Sequence, residues 1–459
     1  MDTTYDVKIW KIGTRKMAKG TTYTVRWFLG GREWRAPFAT AALADAFRSE
    51  LVGATRRGEA FSVTTGRPVS HRSGAAEVSW YDFAVQFADH QWQRTSGNSR
   101  KNTAKALTAA TLALLKAPVP SAYDPVTVRR ALREYAFNAR RRAAVPADES
   151  VVLRWIERNS LTMAAWESTT KVDAVLHAVS SLLDGTTAAA SSVKRHRRIL
   201  NVAMEYAVRH DVLRTNPLPK GRGASPKTST AVDKRSLLNP LKAAGLLGWV
   251  RGRPRGGRRL HAFFATMYYA GPRPEEAIAV DVMDVRLPAA AADDQWGEIL
   301  FHTAQPEVGK HWTDDGAIHE ERGLKGRAAD DMRVVPCRPA LTKILREHIE
   351  REALKPGDLL FQGEKGEILA GSVIRRAWRS ARKEVLTPEE YASPLGKRVY
   401  DLRHTCLTNW LNDGVPPAQV AEWAGNSVPV LLAIYARCIA GHLPDLKKRI
   451  EAGGDLPEV

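Results

Sequence analysis

The sequence predicts a mainly α protein with small β elements (α+β): a β-rich N-terminal unit, an all-α domain and a larger α+β domain. Three observations carry this. Alternating β-branched and aromatic residues are confined to residues 5–38, and apolar residues recur at helical spacing from Ser79 to about Leu213. Two short alternating runs, Gly297–Thr303 and Met332–Pro336, interrupt an otherwise helical second half. The Gly/Ser/Thr/Pro-rich stretch Ala60–Ala75 and the basic linker Lys220–Lys227 divide the chain into 1–60, 76–220 and 228–459. A chain of 459 residues, 44% hydrophobic, can fill cores of that number and is not wholly disordered.

In the first unit, Tyr5–Trp10, Thr22–Phe28 and Arg32–Pro37 read as strands, with Gly30-Gly31 as the turn between the last two. Lys8, Arg26, Arg32 and Arg35 fall on exposed strand positions, as a DNA-reading sheet or a solvated face would have them. A helix follows from about Thr40, with Leu43, Ala44, Phe47 and Leu51 as its apolar face. The all-α domain reads as a helix opened by Trp80, Phe83, Phe87 and Trp92, followed by Thr103–Leu115, Val126–Arg142, Val151–Arg158, Val172–Leu183 and Ser191–His210. The last carries Lys194, Arg195, His196, Arg197 and Arg198 ahead of a seam of Val202, Ala203, Tyr206 and Ala207. That cluster suits phosphate contact.

Charge and cysteine content narrow the function classes. Lys plus Arg number 69 against 50 Asp plus Glu, a net charge of +19, which points to a polyanion: nucleic acid first, an acidic membrane surface second. The three cysteines, Cys337, Cys406 and Cys438, are odd in number and widely spaced, which argues against a disulfide scaffold and a structural zinc site. No metal and no cofactor is expected. Met1–Lys11 lacks the apolar core of a signal peptide, and no run approaches the ~20 apolar residues that span a bilayer. The expected location is the cytoplasm, on the nucleoid.

Four places in 228–459 invite chemistry. After the apolar helix Ala262–Tyr269, Gly271-Pro272-Arg273-Pro274 sets an arginine at a helix start, with Glu276 one turn on to hold it. Gly323-Leu324-Lys325-Gly326 offers a hairpin lysine as a mobile proton donor, with Lys310 as its competitor. In Tyr400-Asp401-Leu402-Arg403-His404-Thr405, Asp401 reads as the N-cap, and Leu402, Cys406 and Trp410 form a stripe running to Gly414. Arg403 then lies in the first helical turn, where a cation opposes the helix dipole unless an anion joins it. Last come Gly425-Asn426 and Tyr435, the latter on a helix whose apolar face is Val430, Leu431 and Ile434.

In this order, Arg-x-x-Glu, a hairpin lysine, Leu-Arg-His-Thr and a later tyrosine resemble the catalytic domain of the tyrosine recombinases, the phage integrase family. Trp312-Thr313-Asp314-Asp315-Gly316 and Val420-Ala421-Glu422-Trp423-Ala424-Gly425 resemble segments of integrases from actinobacterial mobile elements. The resemblance covers about residues 160–450. It implies that Arg273 and Arg403 clamp the scissile phosphate, Lys325 protonates the leaving 5′-oxygen, and Tyr435 attacks phosphorus to leave a 3′-phosphotyrosyl link. Glu276 and His404 would support the site.

The resemblance also implies double-stranded attachment sites as partners, a homo-tetramer on DNA, and an accessory excision or host architectural factor. The β-rich unit would bind arm sites, the all-α domain core sites, and Leu446–Ile450 would either pack on a neighbouring subunit or form an ordinary C-terminal amphipathic helix. Two positions depart from the family pattern: Tyr400 stands where His or Lys is usual, and Asn426 where His or Trp is usual. The second reading is therefore a catalytically impaired relative acting as a DNA-binding regulator, and the third a DNA-relaxing enzyme without partner exchange.

Overall fold

The computed structural model describes residues 3–17, 20–63, 66–68, 78–182, 185–219, 231–289, 294–326 and 331–438. The linker Lys220–Lys227, the segment Leu446–Ile450 and much of Ala60–Ala75 lie outside the described residues. The chain forms two compact units, residues 1–95 with 99–226 and residues 96–98 with 227–459. No helix among the described residues is long and apolar enough to cross a membrane.

The first unit opens with β1 (Thr3–Thr4), β2 (Val7–Ile9), β3 (Gly13–Met17), β4 (Gly20–Leu29) and β5 (Arg32–Phe38). β4 is central and antiparallel to the other strands it pairs: β5 along one edge, β2 and β3 along the other. Gly30 and Gly31 both take positive φ, which a tight hairpin turn demands. Thr40 caps α1 (Ala41–Arg56), accepting the N–H of Leu43. α1 buries Ala44, Phe47, Leu51 and Ala54 against Val25, Trp27 and Leu29 of β4, and Phe61 of β6 (Phe61–Ser62) completes this core. Leu43 departs from the expected face and is exposed: the buried set steps from Ala44, so Leu43 falls on its flank.

Strand parity divides the four exposed cations. Lys8 faces Phe28 in register and Arg26 faces Arg35, all on the outer side, whereas Arg32 pairs with buried Leu29 and stacks on Trp34. Arg32 therefore belongs to the inner side, unlike the other three.

The same unit continues with α2 (Trp80–Trp92), α3 (Gly97–Ala113), α4 (Pro125–Arg130), α5 (Ala147–Asn159), α6 (Thr169–Ala178) and α7 (Ala190–Arg209). Trp80, Phe83 and Phe87 are buried, with Trp166 and Tyr206 among the rings that meet them. The helix expected over Val126–Arg142 instead passes into a π turn, Ala131–Ala136, and stops. Buried Asn138 captures the N–H groups of Arg140 and Arg141, offering the backbone an alternative to the helix. α6 likewise ends early: the hydroxyls of Ser180 and Ser181 donate to the carbonyls of Leu176 and His177. On α7 the buried seam is Leu200, Ala203, Met204, Tyr206 and Ala207, and the expected Val202 is exposed.

The second unit comprises α8 (Pro240–Arg251), α9 (Gly257–Tyr269), α10 (Pro274–Ala277), β7 (Val285–Arg286), β8 (Gly297–Phe301), β9 (Thr303–Ala304), β10 (Arg322–Gly323) and β11 (Arg333–Cys337). The helices α11 (Pro339–Arg351), α12 (Gly371–Val385), α13 (Pro388–Ala392), α14 (Tyr400–Asn412), α15 (Pro417–Ala424) and α16 (Val428–Tyr435) complete it. β11, β8 and β7 form an antiparallel sheet, and β9 pairs with β10 as a separate ribbon. One core joins α8, α9, α11 and α12 to β8 and β11; a second gathers Cys406, Leu407, Val420, Ala424, Leu431 and Tyr435 from α14, α15 and α16. All three cysteines are free and buried.

Candidate active site

The site begins where α9 ends. Gly271 takes φ +59°, and a Cβ there would lie 2.7 Å from Leu407 and 3.0 Å from the Cys406 sulfur, so glycine lets this turn pass against α14. Pro274 then opens α10 behind an extended Arg273. The Glu276 carboxylate accepts the Arg273 backbone N–H at 2.8 Å and its Nη1 at 2.6 Å. Arg273 Nη2 reaches across to the Gly425 carbonyl and Asn426 Oδ1, each at 3.0 Å. The expected Arg–Glu pair is thus one corner of a larger cluster.

A third arginine, absent from the sequence-level set, holds the other side of Glu276. Arg333 pairs with both carboxylate oxygens and donates Nε to the Trp423 carbonyl at 2.9 Å. Its signal was present in the sequence. In β11, Arg333 shares strand phase with Val335 and Cys337, and all three are buried. A cation on the inner face of a strand requires a buried partner.

Arg403 is 1% exposed. Its Nη1 donates to the Gly271 carbonyl and its Nη2 to the Ala424 carbonyl, both at 2.6 Å. These acceptors sit just beyond α9 and at the end of α15, where helix dipoles are negative. They offset the conflict at the start of α14. Among the described residues, the buried Arg403 Nε has no hydrogen-bond partner. Asp401 is not the N-cap: α14 starts at Tyr400, and fully buried Asp401 accepts the backbone N–H and guanidinium of Arg398.

Tyr435 is 1% exposed, and its hydroxyl lies 2.9 Å from His404 Nδ1. On α16 the buried residues are Leu431 and Tyr435, one turn apart, whereas Val430 of the expected face is exposed. Tyr400 meets His404 edge-on at 5.0 Å and lies under the Arg403 guanidinium at 5.9 Å.

The electrostatics follow from burial. Burial alone would raise the Glu276 carboxyl, but the Arg333, Arg273 and Arg403 charges hold it down at about 2. Burial lowers the Arg333 guanidinium despite Glu276; burial is also the largest single influence on Arg273, but the Glu276 charge and hydrogen bond, with Tyr400 and Glu275, together raise it. Burial pushes the Tyr435 phenol well above its ordinary range, with Arg403 and Arg273 pulling back. His404 is held at about 4 by burial and by Arg398 and Arg403. Three guanidinium groups around one carboxylate leave an excess positive charge and an unspent donor. An anion fits both.

Lys325 and Lys310 are exposed, and no hydrogen bond or ion pair ties either to this cluster among the described residues. Lys194, Arg195 and Arg198 stand exposed along α7, and Arg197 is half-buried.

Gly425 ends α15 at φ +63°, and a Cβ there would lie 3.0 Å from Arg333 Nη1 and 3.4 Å from Arg273 Nη1. Gly425→Ala is expected to lose about 1–2 kcal/mol from the left-handed backbone alone. It should also displace both guanidinium groups. Urea unfolding reads the first effect.

No protein-family model and no curated protein matches the chain. Solved structures do align with it. The Tn1549 transposon integrase in complex with transposon right-end DNA gives a TM-score of 0.45 at 14% identity, over 70% of this chain and 98% of that one. The XerH site-specific recombinase bound to difH substrate gives 0.43 at 15%, over 78% and 96%. A lambda integrase tetramer bound to a Holliday junction gives 0.41 at 12%, over 97% of each chain.

Proposed function

We propose that the chain is a site-specific DNA recombinase that cuts and rejoins DNA through a 3′-phosphotyrosyl intermediate and integrates a mobile element. The observation that carries this is the buried guanidinium cluster with its unpartnered Arg403 Nε, together with a buried Tyr435 hydroxyl 2.9 Å from His404, the residue that follows Arg403 in α14. A phosphodiester would supply the missing acceptor and relieve an unsatisfied buried donor that costs about 1–3 kcal/mol.

Arg273 and Arg403 bind the non-bridging oxygens, and fixed guanidinium groups stabilise the charge that gathers on pentacoordinate phosphorus. Tyr435 oxygen forms the bond to phosphorus as the bond to the 5′-oxygen breaks, and Lys325 gives that oxygen its proton. A 5′-hydroxyl from a second duplex reverses the step, so the phosphotyrosyl link conserves the bond energy. Asn426 and Tyr400 act at the rim of this site. Exchange between duplexes implies a tetramer on DNA, with the cations of α7 on backbone phosphates.

The test is covalent capture of nicked duplexes from a randomised library by the full-length chain. A DNA adduct that survives SDS and disappears with protease supports the proposal. Tight duplex binding without an adduct overturns it in favour of a DNA-binding regulator. Lys194→Ala, Arg195→Ala and Arg198→Ala should each weaken binding evenly across sequences and flatten the salt dependence by about one ion. Fluorescence anisotropy over a salt series reads this.

A further inference from the structure

We infer that His404 is the proton acceptor for Tyr435: its Nδ1, 2.9 Å from the phenolic oxygen, takes the hydroxyl proton as that oxygen attacks phosphorus. The inference rests on the recombinase reading above and deepens it.

The 2.9 Å distance suits either tautomer of His404, and donor and acceptor strength assign the direction. A phenol O–H is a good donor and a neutral imidazole nitrogen a good acceptor, so Tyr435 donates and the His404 proton resides on Nε2. Both partners are buried, at 1% and 9% exposure, and their rings meet edge-on at 5.6 Å, so water does not compete freely for the hydroxyl. Tyr400 also meets the imidazole edge-on, and as a phenol it is a poor base near neutral pH. The groups facing His404 are Arg398, Tyr400 and Arg403 from its own segment and Tyr435 from α16.

Those same neighbours make the transfer depend on substrate. Arg398 and Arg403 disfavour an imidazolium, so the resting pair stays neutral with the proton on Tyr435. A phosphodiester held by Arg403 brings a negative charge that offsets the guanidinium beside His404 and reduces that penalty. In the forward step the Tyr435 O–H bond breaks, its proton moves to Nδ1, the oxygen pair bonds to phosphorus, and the 5′-oxygen leaves with the Lys325 proton. In the return step the incoming 5′-hydroxyl gives its proton back to Lys325, and His404 returns its own to the departing Tyr435.

The experiment compares full-length wild type, His404→Gln and Lys325→Ala on one captured nicked duplex, made with an ordinary scissile phosphate and with a 5′-bridging sulfur that leaves without a proton. His404→Gln is expected to slow adduct formation at least about 100-fold, within the usual range for a general base. The deficit should be equal on both substrates, whereas sulfur should erase the Lys325→Ala deficit. The fall in rate at low pH should vanish in His404→Gln, and added imidazole should restore His404→Gly. Adduct formation by His404→Gln within threefold of wild type, or its rescue by sulfur, would overturn the inference while leaving the wild-type adduct and the recombinase reading intact. Should His404→Gln not fold, failure of imidazole to restore a folded His404→Gly variant overturns it equally. Absence of any wild-type adduct defeats the recombinase reading itself, and this inference with it.

Discussion

Arg403→Lys slows adduct formation on a captured duplex by about 10²–10³-fold while duplex affinity stays within a few-fold. The guanidinium spans two carbonyls, Gly271 and Ala424, that fix its plane, and it still has Nε to offer. A lysine ammonium at this depth can satisfy one carbonyl or face the anion, but it has no planar fork with which to do both. Affinity should change little, because most of it comes from phosphate contacts spread along the duplex. Single-turnover cleavage and binding measured on the same DNA separate the two effects. A rate within threefold of wild type would remove Arg403 from the reacting centre.

Glu276→Gln produces the largest loss of stability, about 3–5 kcal/mol in urea unfolding. The carboxylate is 1% exposed, and it is the counter-charge for Arg333 and Arg273. Glutamine keeps the shape and removes the charge, leaving buried guanidinium groups without compensation. The pH dependence has a definite sign. The folded-state value near 2 lies below the ordinary 4.5, so the stabilisation is fully present above about pH 4.5 and drains away as pH falls toward 2. Glu276→Gln should abolish that segment of the stability curve. It should also make the fold more dependent on added sulfate or phosphate, since an anion then replaces the lost charge.

Much of this architecture could be read from local chemistry. Gly30-Gly31 placed the hairpin, Thr40 the start of α1, and the aromatic spacing from Trp80 the face of α2. What escaped had physical reasons. β3 reads Gly13-Thr14-Arg15-Lys16-Met17, with no apolar alternation, because it is an edge strand of the sheet. The early ends of the helices after Val126 and Val172 depend on side chains, Asn138, Ser180 and Ser181, that bond the backbone locally. Leu43 and Val202 show the limit of periodicity: a residue at the edge of an apolar stripe is decided by the neighbour it meets.

The candidate site divides in the same way. Arg403 stands out in sequence because its charge opposes the dipole of its own helix, whereas Arg273, Glu276 and Tyr435 stand out only through the order of the motifs. Arg333 was signalled only by its inward phase in β11, and its partner appears once Glu276 is seen to take a second guanidinium. The His404–Tyr435 bond joins two helices and has no trace in spacing alone. The structure brings neither Lys325 nor its competitor Lys310 to the cluster, so the proposed proton donor is tested by comparing cleavage by Lys325→Ala and Lys310→Ala.

The central claim is that the Tyr435 oxygen becomes bonded to DNA phosphorus. Proteolysis of the trapped adduct followed by mass spectrometry of the nucleotide-bearing peptide measures this directly. The account predicts the nucleotide remnant on Tyr435 and no adduct from Tyr435→Phe. A remnant on any other residue, or undiminished adduct from Tyr435→Phe, would contradict it.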